Sequence, residues 1–177
     1  MKEQGVPLSR IAINVSSIQF KESQLLETFI SIAKRHNIEP SEIEIEITER
    51  FLMEHTIANI NMLQNFRNYG FKISIDDFGT GYSSMSYLKQ LPVDTIKIDK
   101  SFVDDINEGS SDNVIIEAII ALSKTLGYLI VAEGIETPEQ ERFLANVSCD
   151  IGQGYLFCKP VSTEEIIERF SSQATSL

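Results

Sequence analysis

Short runs rich in β-branched residues alternate along the chain with longer stretches of helical periodicity. Residues 10–15, 42–48, 71–76, 95–99, 129–133 and 149–153 predict strands. Between them, Leu25, Leu26, Phe29, Ile30 and Ala33 share one helical face, as do Ile57, Ile60, Leu63 and Phe66. Ile115, Ile116, Ile119, Ile120 and Leu122 form a broader stripe. Gly70 and Gly127 stand where two of these helices should end in a left-handed cap. Thr137-Pro138-Glu139 predicts an N-cap followed by proline at the first helical position, and Ser162 with Glu165 a capping box. Strand–helix alternation of this kind predicts an α/β fold with a parallel sheet. Lys2-Glu3-Gln4-Gly5-Val6-Pro7 resembles the last turn of a helix with its glycine cap and proline stop, so the sequence reads as a fragment.

Composition narrows the function classes. The 177 residues carry 15 Lys+Arg against 26 Asp+Glu, a net charge of −11, which argues against DNA, RNA or anionic-membrane binding by a basic face. No signal-peptide pattern and no apolar run long enough for a bilayer span is visible, so a cytoplasmic setting is expected. Cys149 and Cys158 are too few for a disulfide framework, and His36 and His55 are isolated.

Candidate chemistry gathers at the C-terminal ends of the predicted strands: Asn14, Glu46 with Glu49, Asp76 with Asp77, Lys97, Glu133 with Glu136, and Gln153. In a (β/α)8 barrel these positions converge at one mouth, whereas an open doubly wound sheet would spread them along an edge. The barrel therefore accounts better for all six. Glu42, Glu44 and Glu46 alternate with isoleucine, which equally describes an edge strand with a wet face. The adjacent carboxylates of Asp76 and Asp77 repel unless cations lie between them, and the segment that follows, Phe78-Gly79-Thr80-Gly81-Tyr82-Ser83-Ser84, suits a tight loop. The Asp-Phe-Gly triplet also occurs in protein kinases, but no glycine-rich nucleotide loop or His-Arg-Asp motif accompanies it. Taken alone, Lys97 reads as a surface lysine. Gly134 beside Glu133 suggests close approach by a ligand or backbone, and the glycines flanking Gln153 suggest close packing at a mouth. Asparagine and carboxylate oxygens are hard ligands suited to Mg²⁺ or Mn²⁺, and paired carboxylates with one bridging residue describe a two-metal phosphoesterase.

Asn14-Val15-Ser16, Glu46-Ile47-Thr48-Glu49, Asp76-Asp77-Phe78-Gly79-Thr80-Gly81-Tyr82-Ser83-Ser84, Lys97-Ile98-Asp99, Glu133-Gly134-Ile135-Glu136 and Gln153-Gly154-Tyr155 resemble, in order, the signatures of EAL domains. These are bacterial phosphodiesterases that open cyclic di-GMP to its linear dinucleotide. The resemblance covers essentially the whole chain, and implies residues 1–177 to be one N-terminally truncated EAL phosphodiesterase domain in second-messenger signalling. It implies two ions, Mg²⁺ or Mn²⁺: Asn14, Glu46 and Asp76 on the first, with Asp76 bridging to the second and Asp77 on the second. Lys97 and Glu133 would contact metal-bound water, Glu133 as the general base. Glu136 and Gln153 would support the second metal, its water or the substrate, with Tyr155 beside them, and Glu49 would anchor the loop from Asp77 to Ser84. In this family that loop also tends to lie at a dimer contact, so a homodimer is a further expectation. An upstream sensory or GGDEF domain fits the same resemblance.

The departure from the family pattern is equally plain. No Glu-Ala-Leu motif occurs, nor the nearby arginine that helps hold the substrate. A closed barrel of about 250 residues has eight strands, and this chain predicts about six, an incomplete (β/α)8 TIM-like barrel. The other function class is accordingly a catalytically inactive truncated EAL protein that binds nucleotide or protein.

Overall fold

The computed structural model describes residues 9–53, 57–80, 88–106 and 111–174. The six strands are β1 (Ile11–Asn14), β2 (Ile43–Thr48), β3 (Lys72–Phe78), β4 (Thr95–Ile98), β5 (Leu129–Ala132) and β6 (Ile151–Gly152). They pair in chain order, every neighbour parallel. Helices α1 (Leu25–Arg35), α2 (Glu49–Met53), α3 (Ile57–Tyr69), α4 (Lys100–Asp104), α5 (Ser111–Thr125), α6 (Pro138–Asn146) and α7 (Thr163–Ala174) follow them. The result is a six-stranded arc of a (β/α)8-type barrel.

Strand register explains which side chains meet. Ile45 pairs Ile73, and Ile75 pairs both Ile47 and Ile96, so the isoleucines of β2, β3 and β4 share one face. That face is buried: these residues and Ile98 are between 0 and 1% exposed. A chain of ring contacts links the helices over it, Phe29 of α1 with Phe66 of α3 and with Phe71, and Phe20 with Phe51 of α2. The opposite, inward face carries Glu44 and Glu46, Ser74 and Asp76, Thr95 and Lys97.

The wet-edge account of the Glu–Ile alternation fails. β2 lies between β1 and β3, and Glu44 and Glu46 are only 8% and 7% exposed. Glu44 accepts a 2.6 Å bond from Arg10, while Glu42 caps a short turn at Glu39 instead of joining the strand.

Gly70 (φ 113°) and Gly127 (φ 82°) end α3 and α5 in the left-handed region. In both places the amide after the glycine reaches back five residues, Phe71 to Phe66 and Tyr128 to Ser123, closing a Schellman cap. Thr137 and Gln140 form a capping box with Pro138 in the first turn of α6, and Glu165 N bonds Ser162 Oγ ahead of α7. The α5 stripe is narrower than its sequence suggests: Ile116, Ile119 and Ile120 are buried, but Val114 and Ile115 are exposed. At about 100° per residue, Ile116, Ile119 and Ile120 fall within one arc of the helix about 100° wide, and Ile115 lies beyond its edge. Ile57, in the first turn of α3, is likewise exposed.

Two aspartates tie the N-terminal ends of the strands together. Asp94, before β4, accepts from Ile73 N, Arg67 and Lys72. Asp150, before β6, accepts from Ile130 N and pairs with Lys124. His36 is an exposed C-cap of α1; His55 and the segment Met1 to Pro7 lie outside the described residues.

Candidate active site

At the C-terminal end of the strands the inward side chains converge on Lys97. Its ammonium bonds Glu46 Oε1 at 2.7 Å, Asp76 Oδ1 at 2.8 Å and Glu133 Oε1 at 2.7 Å. β2, β3 and the end of β5 each supply one carboxylate, and β4 supplies the lysine. The register accounts for this: Ser74 pairs Thr95, so Asp76 and Lys97, two residues on in each strand, share the inward face. Lys97 is 6% exposed, so it is an interior cation rather than the surface lysine its own segment suggests.

A regular strand would send Asp76 and Asp77 to opposite faces. Here the β3–β4 register shifts between Ile75 and Phe78, a bulge, and Asp77 takes φ 54°. The turned backbone brings both carboxylates to one side: an oxygen from each of Asp76, Asp77 and Glu133 lies within 4.8 Å of the other two. Immediately after the bulge, Gly79 (φ 102°) donates its amide to Glu49 Oε2 at 2.9 Å. A Cβ at Gly79 would stand 2.6 Å from the Phe102 ring, so loop and α4 are packed too closely for any side chain. Residues 81–87, which include half of the loop from Asp77 to Ser84 expected at a dimer contact, lie outside the described residues.

Asn14 pairs with Glu46 in the β1–β2 register, one strand from the cluster, and is exposed. Glu136, Gln153 and Tyr155 are exposed and stand on the rim. Glu136 accepts from Lys100 at 2.8 Å, and Gln153 continues the β5–β6 pairing through its backbone bonds to Ala132 and Ile135. Lys100, which also pairs with Asp104, is the neighbour of Glu136 that the sequence does not single out. The signal for it was the glycine at Gly134: that residue has φ 73°, and a Cβ there would lie 2.3 to 2.7 Å from the Lys100 stem. The close approach is therefore by a side chain. Gly154 is pressed against the backbone of Ile135.

The electrostatics follow from crowding. Burial raises the Glu133 pKa above its ordinary 4.5; the Lys97 bond opposes this, and the negative charges of Asp76 and Glu46 add to it. Burial would lower the Lys97 pKa, but bonds to Asp76, Glu133 and Glu46 outweigh it and hold the ammonium protonated well above its usual range. The Asp77 carboxyl is pushed up by burial and by the charges of Asp76 and Asp99, although the residue as a whole is exposed. An oxygen-only donor set of this charge fits hard divalent cations and offers zinc no nitrogen or sulfur.

A cleft of about 580 Å³ opens at the opposite end of the strands, among Arg10, Lys72, Asp94, Lys124 and Asp150. Its cations are already paired, Arg10 with Glu44, Lys72 with Asp94 and Lys124 with Asp150, and the catalytic end of a barrel is the other one.

Comparison with known proteins gives the chain its relatives. MucR of Pseudomonas aeruginosa, a bifunctional diguanylate cyclase/cyclic di-GMP phosphodiesterase, is 41% identical over 157 residues, 89% of this chain and 23% of that protein. The cyclic di-GMP phosphodiesterase PA2567 of the same organism is 40% identical over 162 residues, 92% of this chain and 27% of that protein. The chain thus spans about a quarter of the length of these relatives. Among solved structures, the PaMucR phosphodiesterase in complex with c-di-GMP superposes with a TM-score of 0.85 at 41% identity, covering 89% of this chain and 64% of that one. Klebsiella pneumoniae BlrP1, in a manganese/cy-diGMP complex, gives 0.80 at 28% identity over 88% of this chain and 40% of that one. The family model for the EAL domain matches residues 1–160, and the chain belongs to the EAL domain family.

Proposed function

We propose that this segment carries out metal-dependent hydrolysis of cyclic di-GMP to the linear dinucleotide. The observation that carries the reading is the buried Lys97 held by Glu46, Asp76 and Glu133 at the mouth, with Asp77 turned toward them. Asn14, Glu46 and Asp76 would hold one Mg²⁺ or Mn²⁺, and Asp76 and Asp77 a second. Two such ions would supply Lewis-acid polarisation of the phosphate and a water acidic enough to react near neutral pH.

The chain's own residues have distinct tasks in this scheme. Glu133, whose proton affinity is raised, takes a proton from the attacking water as its oxygen bonds phosphorus. One phosphodiester P–O bond breaks, the leaving oxygen takes a proton from solvent, Glu133 returns its own proton to solvent, and the ring opens. Lys97 orients Glu133 and Asp76 and offsets the charge that develops on phosphate. Glu49 pins the start of the loop after Asp77, while Glu136, Gln153 and Tyr155 stand on the rim where the dinucleotide would lie.

A cyclic di-GMP enzyme of this kind works in the cytoplasm, often beside a sensory or GGDEF domain; MucR's name joins both activities in one protein. Incubation with cyclic di-GMP and Mn²⁺ or Mg²⁺, followed by chromatography, tests the reading against a Glu133→Ala control. Linear product is expected, at least about a hundredfold slower in the control. Binding of cyclic di-GMP without product, or product at equal rate in the control, would sink it; binding alone would leave a nucleotide-binding module.

A further inference from the structure

We propose that Lys97 is the resident counter-ion of the carboxylate cluster and competes with divalent cations for Glu46 and Asp76. This rests on the reading that the mouth takes Mg²⁺ or Mn²⁺. An ammonium has three N–H donors, and Lys97 spends all three on carboxylates, at 2.7, 2.8 and 2.7 Å. Two of those carboxylates, Glu46 and Asp76, are the ones assigned to the first ion. Among the described residues no other cation pairs with Glu46, Asp76 or Glu133, so Lys97 supplies the neutralisation that lets three acids stand together without metal.

Each carboxylate gives the ammonium one oxygen and keeps the other. An arriving ion therefore shares its ligands with a positive charge a few ångströms away, and each weakens the hold of the other, as linkage requires. Asp77 makes no side-chain bond to Lys97, so it is the acid of the cluster that an ion can engage without contest. The design keeps the site folded when metal is scarce, at the cost of affinity.

Two measurements test this. Calorimetric titration with Mn²⁺ is expected to show about tenfold tighter binding to Lys97→Met than to the unmodified chain. The variant's thermal midpoint in EDTA should fall, and Mn²⁺ should restore most of the difference; a merely structural lysine would lose the same stability with or without the ion. In the unmodified chain, the slowly exchanging Lys97 ammonium should give a ¹H–¹⁵N signal that shifts or disappears as diamagnetic Mg²⁺ saturates the site. This second measurement holds even if Lys97→Met does not fold. Equal or weaker Mn²⁺ binding by the variant, or an ammonium signal unmoved by bound Mg²⁺, overturns the competition while leaving the metal reading intact. Failure of both ions to bind the unmodified chain overturns the two together.

Discussion

Asp77 is the residue on which most of the site's shape turns. Its φ of 54° and the neighbouring bulge place two sequential carboxylates on one side, which regular strand geometry forbids. Asparagine tolerates the left-handed region and alanine does not. Asp77→Asn should therefore melt no lower than the unmodified chain and lose Mn²⁺ affinity. Asp77→Ala should lose the affinity and also about 1–2 kcal/mol of stability. Paired calorimetry and thermal melts separate the two, and equal stability in both variants would show that the backbone is not strained there. The Asp–Asp pair was legible in the sequence as a cation-demanding signal. The bulge that turns both carboxylates to one side was not, because alternation predicts the opposite geometry. Lys97 was misleading for a related reason: its partners come from β2, β3 and β5, and no local window contains them.

At the scale of elements, the strand positions were readable because each strand is a short β-branched run set between amphipathic helices. Less legible were the clips at the far end. Asp94 and Asp150 each accept the amide of a residue in the strand before their own, Ile73 and Ile130, and each draws in at least one cation. An aspartate in a loop reads as turn chemistry, and nothing local tells which distant amide it will meet. Because Asp94 is partly buried and has three donors around it, Asp94→Ala should cost about 1–3 kcal/mol of stability. It stands at the opposite end of β4 from Lys97, so Mn²⁺ affinity should not change. A loss of metal affinity in that variant would mean that the two ends of the sheet are coupled.

For the molecule as a whole, charge and pH act through the same cluster. A carboxyl whose pKa is raised on folding holds its proton more tightly in the native state. Below its ordinary pKa both states are protonated and nothing is lost; as pH rises from there toward the native value, the unfolded chain ionises first and stability falls. Glu133 and Asp77 both shift this way, from 4.5 and 3.8. Lys97 shifts upward from 10.5, so its contribution is complete below that pH and fades only in stronger alkali. The metal-free protein should thus lose stability as pH rises past about 4.5. Glu133→Gln, which stays neutral, should flatten that decline and melt no lower than the unmodified chain at pH 7, while losing activity. Melting curves in EDTA across pH settle this, and an unchanged slope in the variant would contradict it. Barrel-like winding was legible at this scale from repeated strand–helix units, each with a polar residue at its strand end. No helix among the described residues is long and apolar enough to cross a membrane.

In the proposed reading, Asp76 would bridge two divalent ions at this mouth. Diffraction at the manganese absorption edge, from crystals soaked in Mn²⁺ and cyclic di-GMP, measures it directly. Two anomalous peaks are predicted, one shared by Asn14, Glu46 and Asp76 and one by Asp76 and Asp77, with the dinucleotide phosphate beside them. Manganese located elsewhere, or absent from the cluster with cyclic di-GMP bound, would contradict the account.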